Sequence, residues 1–302
     1  MNRHDIGIGI IVVILWGLNF IAIKLGVGHV PPLLLASVRF LFVSIPAIFF
    51  LPRPPIPWTG LIALSMTIYV GQFAFLFLGI KLGMPAGLAS LIHQSQAFFT
   101  LLVAVIFIKE RLQWNHLAGL FIAATGMVII GYQQNTGMTA IGFWFTLIAG
   151  ASWGVGNVIM RKVTQGVPPF SMISLVAWSG LVSFFPMVIL SFIAEGLNSW
   201  QEAITAVNWI SVASVIYLAY FSSLAGYGLW GKLLARYPAT IVAPFALLVP
   251  IIGMSSATLF LGEGFTFWQG VGSILVMAGL VVNVFGERIK KTKNLESQAV
   301  LP

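Results

Sequence analysis

Twelve side chains able to hold a small polar molecule interrupt long apolar runs of this chain. They are Trp16, Asn19, Arg39, Tyr69, Gln72, His93, Gln96, Trp153, Asn157, Trp178, Tyr227 and Trp230. Their spacing follows the helical period. Trp16, Asn19 and Ile23 share one helix face, as do Tyr69, Gln72 and Phe73. His93 and Gln96 stand at i and i+3, with Gln94 on another face, and Trp153 and Asn157 stand at i and i+4. Amide and hydroxyl groups of this kind can bind an ammonium and a carboxylate. Aromatic rings can contact an apolar side chain and attract an ammonium. Gln72, His93, Gln96 and Tyr227 are the first candidates for a cavity, and Tyr220 is a further aromatic of the same stretch. Asn19 and Asn157 suit interhelical hydrogen bonds equally well, and Trp16 and Trp153 suit packing. Arg39 is the most unusual group, because a cation inside an apolar helix is costly. It either reaches for the interface or a carbonyl, or it recognises a carboxylate or forms a gate contact.

Other chemistry is excluded by what is missing. Asp5, Glu110, Glu195, Glu202, Glu263, Glu287 and Glu296 all fall in expected loops, helix ends or tails. A proton relay of buried acids is therefore not expected, and His93 is the one titratable coupling group within the expected core. His4, His29, His93 and His116 are scattered and lack carboxylates at helical spacing, so no metal cluster or acid–base pair of an enzyme is expected. No phosphate-binding G-x-x-x-x-G-K-[ST] loop occurs. No cofactor is called for.

The elements that must position these residues follow from composition. Of 302 residues, 59% are hydrophobic and 7% charged. Soluble domains are about 25% charged, so the chain is expected to lie in lipid. A hydrocarbon core takes roughly 20 apolar residues per helix. Apolar runs predict ten helices near 6–27, 33–51, 60–80, 86–107, 114–131, 139–160, 170–193, 209–233, 238–261 and 268–286. Turn chemistry separates them at Pro31-Pro32, Pro52 to Pro57, Gly83-Met84-Pro85, Asn135-Thr136-Gly137, Pro168-Pro169, Tyr237-Pro238 and Gly262-Glu263-Gly264. The apolar start after Arg3 and His4 lacks a cleavage pattern and is read as a permanent first helix.

Charge sets the orientation. Ten spans put both termini on one side, and 12 of the 15 Lys and Arg fall there. The exceptions are Lys24, Arg39 and Lys81. The positive-inside rule places both termini in the cytoplasm of a bacterial inner membrane. The net charge of +8 is thereby explained without nucleic acid. Residues 287–302 read as a basic cytoplasmic tail.

The chain also repeats itself. Trp16-Gly17-Leu18-Asn19 and Pro31-Pro32 recur 137 residues on as Trp153-Gly154-Val155-Gly156-Asn157 and Pro168-Pro169. Later the offset is 153: Pro85 with Pro238, Glu110 with Glu263, Gly119 with Gly272, Gly126 with Gly279. The extra 16 residues are placed in the stretch Glu195 to Asn208. The domains are thus 6–131 and 139–286, five helices each. An odd number of spans inverts one half relative to the other. The fold class is an all-α integral membrane protein of ten transmembrane helices in two inverted five-helix repeats. Gly119 and Gly126, like Gly272 and Gly279, allow close helix contact. Pro244 and Pro250 predict an irregular ninth helix that could line a cavity. Inverted repeats around a central site are the architecture of secondary carriers.

Trp16-Gly17-Leu18-Asn19-Phe20, the Pro31-Pro32 turn leading to Arg39-Phe40, Gly83-Met84-Pro85-Ala86-Gly87 and Glu110-Arg111 together resemble the EamA domain of the drug/metabolite transporter superfamily, in two tandem copies over about 6–286. Further segments are similar to exporters of O-acetylserine and cysteine in that family: Gln72 to Phe77, Pro85 to Leu91, Gln96 to Thr100 and Asn283-Val284-Phe285-Gly286. The resemblance implies ten helices, a central cavity and export of amino acids such as cysteine and O-acetylserine. The implied partners are that solute and the bilayer. A channel or sensor for small polar solutes is the alternative, and homo-oligomerisation is left open.

Overall fold

The computed structural model describes residues 1–110, 112–133 and 137–299, with backbone alone for 239–240 and 287–299. Arg111, the Asn135-Thr136 part of one turn and the side chains of the basic tail lie outside the described residues. Ten helices are long and apolar enough to cross a membrane. They are α1 (Arg3–His29), α2 (Pro32–Phe50), α3 (Trp58–Lys81), α4 (Ala86–Ile108), α5 (Trp114–Tyr132), α6 (Ala140–Val163), α7 (Met172–Thr205), α8 (Trp209–Arg236), α9 (Ala243–Leu261) and α10 (Phe267–Gly286). The turn Ala239–Val242 leads into α9.

Helix ends follow local chemistry. Prolines sit at the starts of α2, α3 and α4, where a missing N–H costs nothing. Thr139 and Asn208 cap α6 and α8 through their side chains. Two departures from the expected boundaries concern acids. α1 begins at Arg3, so Asp5 lies buried in its first turn, bonded to Arg236 and Tyr237 at 3.0 and 2.7 Å. α7 continues past Glu195 and breaks at Gly196, whose φ of 77° and ψ of 162° are not helical. The stretch 197–205 then forms a short helix, where the extra segment of the second half was expected.

The halves are inverted, and the α5–α10 seam shows it directly. A methyl group at Gly119 would meet the Gly279 carbonyl at 2.6 Å, and one at Gly279 would meet the Gly119 carbonyl at 2.5 Å. Gly126 and Gly272 have the same reciprocal relation. Numbers rise along one helix as they fall along its partner, so these equivalent helices are antiparallel. Backbones this close require residues without a β-carbon. The remaining packing respects the same exchange: α1 lies on α9 as α6 lies on α4, and α3 on α6 as α8 on α1. The surface is apolar, with Phe107, Phe121, Leu259 and Phe260 outward. Arg39, Gln72 and His93 are inward. That distribution suits lipid, not water. Most basic residues gather at the end of the bundle holding Asp5 and Glu110, here called the basic face.

Helix geometry is irregular where the polar residues sit. α3 widens into a π-helix at Ser65–Gly71, and α8 does so at the equivalent Tyr217–Ala225. α4 tightens to 3₁₀ at His93–Ser95, and α9 at Ala243–Leu248. Pro244 and Pro250 flank and enter this last segment, as the prolines led one to expect. Such segments recur at functional sites.

Candidate functional site

Arg39 is buried on α2, with 2% of its surface exposed. Its Nε and Nη2 donate to Ser223 Oγ at 3.2 and 2.9 Å. Ser223 in turn donates to the Leu218 carbonyl five residues back, which is the spacing of the π-turn it occupies. The guanidinium lies over the Phe73 ring, 4.1 Å from its centroid. Tyr69 and Tyr227 are within electrostatic reach. Among the described residues no carboxylate pairs with it, and its Nη1 has no hydrogen-bond partner.

Two more candidates keep a buried polar atom unpartnered: Gln72 at Oε1 and His93 at Nε2. Each such atom costs about 1–3 kcal/mol. Together they present a charged donor, an acceptor and an imidazole on α2, α3 and α4. His93 lies tilted against Trp153, ring centroids 4.9 Å apart, and meets the edge of Phe20 at 6.0 Å.

An aromatic group adjoins them. Trp16 contacts Tyr227 and Trp230, with ring centroids 5.2 and 5.1 Å away, and its Nε1 donates to the Ser222 carbonyl. Asn19 and Asn157 take the interhelical role. Ser222 Oγ donates to Asn19 Oδ1 at 2.8 Å, joining α8 to α1. Asn157 Nδ2 donates to Gln96 Oε1 and Thr100 Oγ1 at 2.8 and 3.1 Å, joining α6 to α4. Gln96 is thus committed to a partner helix, unlike His93. Gln94 points elsewhere, donating to the Ala246 carbonyl of α9.

Trp178 stands apart from the other candidates. Its Nε1 donates to the Leu51 carbonyl at 3.1 Å, and its ring meets Trp58 at 6.4 Å. It fastens α7 to the α2–α3 connection near the basic face. Two grooves, of about 480 and 830 Å³, also lie away from the polar centre. The first runs between α4, α5 and α6 along Phe98, Phe99, Met127 and Leu147. Its apolar wall suits acyl chains, not a zwitterion. The polar centre carries the better site, because its orphan polar atoms need a polar partner.

Ser222, Ser223 and Phe73 were not among the site residues read from sequence. A signal was present for one of them: the later repeat offset carries Tyr69 onto Ser222. Serines within apolar runs are otherwise common packing residues, and this chain buries many.

Ten apolar helices, four of them irregular beside buried polar groups, define a membrane carrier framework. The sequence pattern of the EamA-like transporter family matches residues 5–132 and 140–285, and the chain belongs to that family. It is 45% identical over 97% of its length to a "probable amino-acid metabolite efflux pump" of Salmonella typhimurium, 98% of which is covered. It is 41% identical over 98% of its length to an Escherichia coli protein of the same description, covered in full. A "probable terminal-alkyne amino-acid exporter" of Streptantibioticus cattleyicolor is 25% identical over 90% of this chain and 91% of its own. A crystal structure with 20% identity superposes at a TM-score of 0.63 over 94% of this chain and 98% of its own, which supports the fold. Family and topology together make this a multi-pass transporter of a bacterial inner membrane.

Proposed function

We propose that the chain exports small amino acids, such as cysteine and O-acetylserine, by alternating access between its two inverted repeats. The repeats are 6–131 and 139–286, and the basic face, with both termini and the tail 287–302, lies in the cytoplasm. One observation carries the substrate class: Arg39 is buried, and among the described residues no carboxylate pairs with it. An unpaired charge held away from water costs several kcal/mol. A substrate carboxylate would offset that cost while bound. Gln72 Oε1 supplies an acceptor for the substrate ammonium, and the Trp16–Tyr227–Trp230 group supplies aromatic faces. The descriptions of the relatives support the same class.

The test is substrate counterflow in liposomes holding the purified protein. Saturable exchange of cysteine or O-acetylserine is expected, at carrier rates rather than channel rates. No flux across a broad amino-acid panel would remove the proposal.

A further inference from the structure

Two glutamates occupy equivalent places in the two halves. Lys109 and Gly262 end α4 and α9 in the left-handed region, at φ of 57° and 65°. The Lys109 and Glu110 N–H groups both donate to the Ala104 carbonyl, and those of Gly262 and Glu263 to the Ala257 carbonyl. The backbone therefore presents Glu110 and Glu263 in the same way at opposite faces of the bundle. Lys109 adopts this conformation without being glycine, which is costly for most residues.

Their carboxylates do different things. Glu263 accepts the Ala86 and Gly87 N–H groups at 2.7 and 2.9 Å, capping the N-terminus of α4 across the bundle. The corresponding target for Glu110 is the turn at 239–240, which opens α9 just after Pro238 as Ala86 opens α4 just after Pro85. Glu110 instead meets Arg161 of α6 at 3.0 Å, with both side chains exposed.

Burial differs in step with this. Leu88 and Ser90 of α4 are fully buried, whereas their equivalents in the second half, Ile241 and Ala243, are exposed. Where Glu263 is engaged, α4 lies tightly on α9: a methyl at Gly87 would meet Ala257 at 3.2 Å. At the basic face the start of α9 packs on α1 and α10. The two faces thus differ: α4 is packed against α9 opposite the basic face, and Ile241 and Ala243 at the start of α9 are exposed at the basic face.

We infer that Glu263 and Glu110 are alternating latches, each closing one face by capping the backbone where the opposite half's gate helix begins, Glu263 on the first turn of α4 and Glu110 on the turn that leads into α9. A carboxylate on two helical N–H groups gains charge-assisted hydrogen bonds and a favourable helix dipole. The exposed Glu110–Arg161 pair is weak by comparison and readily exchanged. The inference deepens the carrier reading and rests on it, but its test reads shape, not flux.

The chain has no cysteine, so a single introduced one reports cleanly. Two reporters are needed, Ser90→Cys on α4 and Ala243→Cys at the equivalent place on α9. A membrane-impermeant maleimide is applied to spheroplasts for the first and to inside-out vesicles for the second. The parent should label quickly at position 243 and slowly at 90. Glu263→Ala should raise labelling at 90 at least fivefold and lower it at 243. Unchanged labelling at both would overturn the inference. Glu110→Ala touches an exposed pair, so folding is not at stake. It should slow the residual labelling at position 90 several-fold, by disfavouring the state closed at the basic face; an unchanged rate would also overturn the inference. A labelling shift without amino-acid flux would leave the latches standing and remove the substrate proposal. Flux without any labelling shift would do the reverse.

Discussion

Arg39→Met isolates the proposed recognition of carboxylate. Methionine keeps much of the arginine stem's bulk and can still lie on Phe73, 4.1 Å below the guanidinium. Removing one partner of a buried charged pair costs about 2–5 kcal/mol of binding. At 1.36 kcal/mol per tenfold, that is about 30-fold to several thousand-fold in affinity. Liposome uptake should be measured over a range of substrate concentration, for an amino acid and for the amine lacking its carboxylate. The parent should prefer the amino acid strongly. Arg39→Met should raise KM for the amino acid by about that factor and leave the amine nearly unchanged. Stability should move the other way. Among the described residues Ser223 is its one hydrogen-bond partner, and replacing buried charge with apolar bulk is often neutral or stabilising. Thermal unfolding in detergent should therefore be unchanged or raised. A folded Arg39→Met protein that still discriminates against the amine would refute the reasoning. Loss of folding would refute it too, since Arg39 would then be a structural group.

Glu195→Ala removes the acceptor of the Leu33 and Leu34 N–H groups; it should cost about 1–2 kcal/mol and lower the melting temperature without altering KM. Gly126→Leu or Gly279→Leu places carbon within about 2.5 Å of a facing carbonyl, and loss of a monodisperse peak in size-exclusion chromatography is expected. His93→Ala should reduce flux several-fold with insertion intact, as judged by membrane yield. Gln96→Ala should also lower flux, with a smaller structural effect because Asn157 retains its bond to Thr100.

The framework was legible because lipid imposes strong rules. Apolar length gave the ten helices, and the repeated tryptophans, prolines and glycines gave the two halves. Gly119, Gly126, Gly272 and Gly279 foretold the seam because a missing β-carbon has few other uses at that spacing. The site was only partly legible. Asn19, Gln96 and Asn157 look alike in sequence to Gln72, yet they spend their amides on neighbouring helices. Which polar group keeps a free atom depends on facing side chains, and that information is not local. Trp178 failed as a central residue for the same reason: its indole finds a carbonyl in the α2–α3 connection. Asp5 escaped because a helix that starts at Arg3 buries it. The partner of Arg39 could not be read from sequence, because the hydrogen-bonding group it meets is Ser223, one buried serine among many.

The widened stretch Tyr217–Ala225 makes α8 longer in sequence than in space. Wider winding absorbs an extra residue. Deleting one residue there, such as Leu224, would let the backbone relax to ordinary winding with little change in length or in the direction that downstream residues face. Tyr227 and Trp230 would keep their contact with Trp16, and Tyr217 upstream its bond to the Leu15 carbonyl. The loss would fall on the wide turn itself, where the Ser223 hydroxyl donates to the carbonyl five residues back and accepts from Arg39. One surplus residue thus holds the hydroxyl on which the buried guanidinium rests.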